Sequence, residues 1–278
     1  MKAHVITLLL CLASALCFGQ DSLLVEQLLK KGAARASGTS LTLFYAHQLE
    51  GTPYVAATLE VNPEERLVVN LREMDCTTFV ENVVALTLTT RQGSLTYKDF
   101  CLNLTRIRYR GGRLDGYASR NHYFSQWIRS NEGLGIVREL SEPASLFTAR
   151  QTLSLSYMSS HPSAYPMLKG DAEAQRLIRR YEQECSGETV SYIPKALLNG
   201  KREGDLASIQ DGDILAIVTS KPGLDIGHVG FAQWGSDGRL HLLNASQLHK
   251  KVVLEPMTLY EYLSKHPTML GVRVIRLL

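Results

Sequence analysis

Residues 74–83, MDCTTFVENV, set a cysteine directly behind an aspartate and ahead of an apolar run. A thiol in the first turn of a helix sits beside backbone N–H groups that lack partners, and the positive helix end favours its thiolate. A free thiol ionises near about 8.5, and such a position can lower that by more than a unit. Cys76 therefore has the surroundings of a nucleophile, although a buried structural cysteine is the blander reading of any single thiol. A cysteine nucleophile needs a base, and the base needs a group that holds its ring. GHVG, residues 227–230, puts His228 at the start of an apolar strand, with glycines on both sides leaving room for the ring and a substrate.

A lone histidine on a strand is more often a core or edge residue than a base; the neighbouring strand raises the case for this one. If SDG, residues 236–238, makes a three-residue hairpin loop with Gly238 in the left-handed conformation, Gly235 pairs with Arg239. Asn244 then lies opposite Gly230, and His228 opposite Ser246. His228 and Asn244 would share a face as diagonal neighbours, within reach of each other's side chains. A two-residue loop would send them to opposite faces, so the pairing predicts the loop type.

The elements that must position these groups can be read around them. Leu24, Leu28, Leu41 and Leu49 suggest two helices broken around residues 37–40, and GTPY at 51–54 is a turn signal. LVVNL at 67–71 reads as a strand or a buried extended segment. The helix from Cys76 carries Phe79, Val80, Val83, Val84, Leu86 and Leu88, too apolar a set for a surface helix, and is expected to be the buried centre of the fold. Residues 211–220, 228–234, 238–246 and 271–278 read as strands. Helices followed by antiparallel strands imply an α+β class. Residues 91–204 form a mixed region read as an insertion within one domain, because no linker bounds it. Arg106, Arg108, Arg110 and Arg113 suggest, by their spacing, a solvated strand edge.

Composition narrows the setting. Residues 1–19 carry Lys2 and then an apolar stretch from Val5 to Phe18, the pattern of a secretory signal peptide cleaved near Gly19 and Gln20. A membrane anchor is disfavoured, because about 20 apolar residues are needed to span a bilayer and polar sequence begins at Gln20. The expectation is a periplasmic or secreted protein, residues 20–278 forming one monomeric catalytic domain with no membrane-spanning segment. Loss of Lys2 would lower the formal net charge from +3 to +2, which disfavours a nucleic-acid or polybasic membrane binder. With 45% hydrophobic residues, the chain can bury a full core. Cys11 and Cys17 would leave with the leader, and Cys76, Cys101 and Cys185 remain. An odd count in an oxidising compartment leaves at least one thiol unpaired. A Cys101–Cys185 bridge stays open.

The ordered set GTPY, DC followed by an apolar helix, DGDIL at 211–215, GHVG, and the strand ending NAS at 244–246 resembles the NlpC/P60 superfamily of papain-like cell-wall hydrolases. More narrowly, NLREMDCTTFVENV, SRNHYFSQWI at 119–128 and GLDIGHVG at 223–230 resemble the DUF1460 family of bacterial secreted amidases, over nearly the whole chain beyond residue 19. The resemblance implies a papain-like α+β fold, with N-terminal helices and a buried catalytic helix packed on an antiparallel sheet. It implies Cys76 as nucleophile, His228 as general base and then acid, and Asn244 as the group that orients the imidazole, where many superfamily members carry histidine. Tyr54 matches the tyrosine of the GxPY motif and would help line the oxyanion site. Asp75 would cap the helix or bind the substrate amine. The distance in sequence from Cys76 to His228 exceeds that of a minimal NlpC/P60 domain, which marks the insertion as the place of substrate selection.

Within SRNHYFSQWI, Arg120 offers a partner for a carboxylate, His122 a hydrogen-bonding group, and Tyr123, Phe124 and Trp127 flat faces for a sugar ring. For Phe124 and Trp127 a core role is favoured, from the general burial of such residues. The function implied is an N-acetylmuramoyl-L-alanine amidase acting on peptidoglycan fragments, that is, muropeptides. The rivals are an endopeptidase that cuts the stem peptide between D-glutamate and the diamino acid, and a noncatalytic wall-binding module. No metal or other cofactor is expected, since the histidines show no zinc-ligand spacing such as HExxH.

Overall fold

The computed structural model describes residues 21–35, 38 and 40–278; the leader expected at residues 1–19 lies outside the described residues. Two helices open the chain, α1 (residues 21–33) and α2 (Leu41–Gln48), as the leucine spacing suggests. Then come α3 (Cys76–Arg91), α4 (Tyr97–Arg108) and α5 (Phe124–Gly133), strands β1 (Val137–Leu140) and β2 (Ala149–Thr152), and helices α6 (Tyr157–Ser160) and α7 (Ala172–Cys185). Strands β3 (Thr189–Pro194), β4 (Ile214–Thr219), β5 (Ile226–Trp234), β6 (Leu240–Ser246) and β7 (Lys251–Leu254), helix α8 (Leu259–Ser264) and strand β8 (Met269–Leu277) complete it.

The strands form a single antiparallel sheet in the order β2-β3-β8-β4-β5-β6-β7, with β1 also paired to β8. The class is mixed α+β. Strand β4 lies near the middle and all six of its residues are buried, which is why ILAIVT reads as an unbroken apolar run. On one sheet face, Val229, Phe231, Leu243 and Ala245 pack with Phe79, Val80, Val83 and Val84 of α3. The rings of Phe79 and Phe231 meet edge to face at 5.5 Å. On the other face, Leu215, Ile217, Ala232 and Leu242 pack with Leu259, Tyr262 and Leu263 from the region of α8. A smaller cluster joins Tyr117, Tyr123, Leu155, Met158, Ala174 and Ile178.

Helix α3 is buried from Thr78 to Thr89, polar residues included. Most of those groups are partnered, as burial favours, although Asn82 Oδ1 has no partner among the described residues. Thr87 and Thr89 donate to the Val83 and Ala85 carbonyls at 2.8 and 2.7 Å, and Asn82 Nδ2 to the Asn70 carbonyl at 3.0 Å. Glu81 accepts from Arg108 Nε at 2.6 Å, with both side chains nearly wholly enclosed.

This pair corrects the strand-edge reading of the arginine run. Arg106 and Arg108 lie on α4, and Arg108 is a buried counter-ion. Residues 67–71 form no strand but an irregular segment. Side chains hold it instead of a ladder: Arg108 Nη1 reaches the Val68 carbonyl at 2.6 Å and Asn82 that of Asn70. Sequence reading missed β7 and the insertion's strands, because four-residue strands such as VREL and KVVL carry too little alternation to stand out.

Candidate active site

Cys76 is the first residue of α3, and Asp75 caps that helix. Asp75 Oδ1 accepts from the Thr78 backbone N–H at 2.8 Å, and Thr78 Oγ1 accepts in return from the Asp75 N–H at 2.9 Å. Of the two roles open to Asp75, the capping one is made. The GTPY segment braces the same point: Tyr54 bridges to Met74, two residues before the cysteine, and Pro53 bridges to Lys251 of β7.

The hairpin forms as the loop argument predicts. Gly238 has φ +75°, and the Gly235 N–H donates to the Arg239 carbonyl at 2.8 Å. Phe231 faces Leu243 and Trp234 faces Leu240. Continuing that ladder sets Asn244 against Gly230, where a Cβ would stand 2.9 Å from Asn244 Cβ and 2.7 Å from the Leu243 carbonyl oxygen. Glycine leaves the gap across which His228 Nε2 meets Asn244 Oδ1 at 2.9 Å. A register shift between β4 and β5 falls at residues 226–228, so Gly227 is bulged and His228 is re-aimed at the strand's end.

The Asn244 amide has one consistent orientation. Its Nδ2 donates to the Leu242 and Val253 carbonyls, at 3.3 and 3.5 Å, which leaves Oδ1 as acceptor. His228 must then donate from Nε2, and its Nδ1 carries the lone pair. Nδ1 has no hydrogen bond among the described residues.

Cys76 and His228 line one cleft of about 430 Å³, with Thr77, His122, Tyr123, Phe124, Asp225 and Val229 among its other walls. Burial, and after it the Asp75 charge, push the Cys76 thiol up to about 12, while hydrogen bonds from Val229 and Thr77 act the other way. Burial also pushes His228 below its ordinary 6.5, against the Asn244 hydrogen bond and Asp75. This reverses the expectation of a lowered thiol. Enclosure under the sheet outweighs the helix end, and the resting pair is neutral thiol and neutral imidazole. Tyr54 is likewise pushed up to about 12, first by burial and then by Cys76 and Asp75, so its hydroxyl stays a donor.

The residues singled out in SRNHYFSQWI fare unequally. His122 reaches the cleft wall, its ring 4.5 Å from that of Tyr117 and its Nε2 2.9 Å from the Tyr117 carbonyl oxygen. Arg120 is already spent, because its guanidinium is clasped by Glu60, at 2.6 Å, and by Glu65. It is a buried brace between the segment after Tyr54 and the approach to α5, and no longer a candidate for a substrate carboxylate. The Tyr123 ring lines the cleft, but its hydroxyl donates to Glu182 at 2.6 Å and accepts from the Met158 N–H at 2.9 Å. Trp127 is wholly buried and Phe124 stacks on it at 4.9 Å, so both belong to the core, although Phe124 also lines the cleft.

Sequence reading missed Asp225. Its carboxylate accepts from the Ser125 backbone N–H at 2.7 Å, capping α5 from 100 residues away. Arg273 donates to Ser125 Oγ at 2.5 Å and pairs with Glu139. This links the α5 wall to the strand that carries His228. The only local cue was an acid among glycines and apolar residues in GLDIG. Cys101 and Cys185 are both free thiols. Among the described residues, no group of three or more histidine, cysteine or acidic side chains is arranged to hold a metal ion.

A family model described as AmiA-like, N-acetylmuramoyl-L-alanine amidase-like, matches residues 45–270. A crystal structure of an N-acetylmuramoyl-L-alanine amidase from Bacteroides uniformis ATCC 8492 is 41% identical, with a TM-score of 0.79, covering 85% of this chain and 97% of that one. A Bacteroides fragilis structure provisionally called a xylanase is 42% identical, with a TM-score of 0.78, covering 84% and 99%. A Legionella pneumophila protein assigned to DUF1460 shares the fold at 23% identity, with a TM-score of 0.68 and coverage of 95% and 97%. No curated protein matches. By the match over residues 45–270 and the Bacteroides identities, the chain belongs to the AmiA-like, N-acetylmuramoyl-L-alanine amidase-like family.

Proposed function

We propose that this protein is a cysteine-dependent N-acetylmuramoyl-L-alanine amidase, of NlpC/P60 type, that cuts the amide between the lactyl group of muramic acid and L-alanine in muropeptides. The observation that carries this reading is the single cleft lined by a helix-start cysteine and by a histidine whose tautomer is set by Asn244. His228 Nδ1 takes the Cys76 proton as sulfur attacks the lactyl carbonyl carbon. The oxyanion is held by backbone N–H groups at the start of α3, with Tyr54 as a further donor. The C–N bond breaks as the imidazolium returns its proton to the alanine nitrogen. Water, deprotonated by His228, then releases the acyl group from sulfur.

The raised thiol and the lowered imidazole suit this order: the thiol is not spent as a standing thiolate, and its proton passes to His228 only as sulfur attacks. The xylanase label of one neighbour finds less support in this cleft. Glycoside hydrolysis ordinarily takes two flanking carboxylates. The cleft wall includes Asp225, engaged with Ser125, while Asp75 is committed to capping α3. In keeping with this activity, residues 1–19 are a cleaved signal peptide and residues 20–278 a monomeric catalytic domain of the periplasm or cell exterior, with residues 91–204 as its family-specific insertion.

The test is mass analysis of products from a disaccharide tetrapeptide, with Cys76→Ala beside the parent. Free disaccharide plus intact tetrapeptide, absent from the variant, is the expected result. A disaccharide still bearing L-Ala-D-Glu would make the protein an endopeptidase instead. No cleavage of any muropeptide would return the wall-binding module.

A further inference from the structure

In SRNHYFSQWI, Tyr123 and Phe124 line the cleft but are only 4% and 7% exposed, and Trp127 is wholly buried, so little aromatic surface faces outward there. A more exposed aromatic face lies on the short helix α6. Tyr157 is 39% exposed, and its hydroxyl has no partner among the described residues. Its ring stacks on that of His161, centroids 4.6 Å apart and planes 26° from parallel, and His161 Nδ1 is 2.8 Å from the Tyr157 carbonyl oxygen. One turn of helix thus holds a flat, preorganised, water-facing pair.

The helix start that carries Tyr157 is tied to the cleft by two backbone hydrogen bonds. The Tyr157 N–H donates to the Gly223 carbonyl at 3.2 Å, and the next residue, Leu224, lines the cleft. The N–H of Met158 donates to the hydroxyl of Tyr123, another cleft wall. Gly223 has φ +76°, and a Cβ there would meet the Tyr157 backbone N at 3.1 Å, so the loop before His228 is shaped to receive α6. An exposed aromatic face stacks on the C–H-rich face of a pyranose at little entropic cost, because only two side-chain torsions need fixing.

We propose that Tyr157, backed by His161, is a subsite for the N-acetylated pyranose ring attached to the acyl group cut at Cys76. The proposal rests on the amidase reading, in which the scissile lactyl group hangs from such a ring. Tyr157 supplies the face, and His161 holds that face in place.

The test separates the two ideas by measuring binding apart from cleavage. In Cys76→Ala protein, calorimetric titration compares muramoyl dipeptide with N-lactyl dipeptide, which keeps the scissile group but lacks the pyranose. Adding Tyr157→Ala is expected to weaken the muramoyl ligand about tenfold and leave the lactyl ligand unchanged. Tyr157→Phe, which keeps the ring, is expected to bind as the parent does. Equal weakening of both ligands, or of neither, overturns the subsite while leaving the amidase intact. Failure of the Cys76→Ala parent to bind either ligand overturns both.

Discussion

Gly230 does its work through what it lacks. A methyl group there would press on Asn244 Cβ and the Leu243 carbonyl, and the side chain that holds His228 would have to move. Displacement of a catalytic group by an ångström costs on the order of 100-fold in rate, so Gly230→Ala is expected to lower kcat by about that factor with KM little changed. Steady-state kinetics on a muropeptide would check this. The same pair sets the pH response. His228 acts as base only when neutral, and burial holds its imidazolium below 6.5. Activity should therefore fall with acid at a midpoint below 6.5, whereas the thiol, near 12, adds no limb at neutral pH. A kcat/KM profile with its acidic midpoint above 7 would contradict this assignment.

Among the elements, α3 holds the nucleophile and depends on an ion pair with α4. Arg108 and Glu81 are 2% and 3% exposed, and burial pushes the Glu81 carboxyl up while Arg108 opposes that. Removing one partner leaves the other desolvated and alone. Arg108→Met is expected to cost about 3–5 kcal/mol in urea unfolding, and Glu81→Leu with Arg108→Met to recover most of that loss. A double variant no more stable than the single one would place the value of Arg108 in its bond to the Val68 carbonyl. Asp225 plays a comparable part for α5, fastening the helix behind the cleft to the β5 strand.

Across the whole molecule, stability is expected to fall with acid through His122. Its imidazolium is pushed down to about 3, first by burial and then by Arg120, from 6.5 when free. Between those values the unfolded chain binds a proton that the folded chain refuses. Stability present above pH 6.5 is thus lost as pH falls toward 3, with a slope of about 1.4 kcal/mol per pH unit for one such group. His228, also lowered, adds in the same direction. The discriminating measurement is the pH dependence of the urea midpoint in the parent and in His122→Gln. The variant should show the shallower slope, and parallel curves would mean that His122 is not desolvated.

Local physics was enough to read much of this protein from its residues. The apolar run after Cys76 could only be a buried helix, the turn residues SDG set a hairpin, and strand alternation then carried Asn244 to the side of His228. Each rests on neighbours in the chain or on one turn. What could not be read that way depends on groups brought together from far apart. Arg120 finds Glu60 and Glu65, Asp225 finds Ser125, and Tyr157 finds Gly223. The acidity of Cys76 belongs to the same class. A helix start is visible in sequence, but desolvation depends on everything packed around the sulfur, and here it prevails.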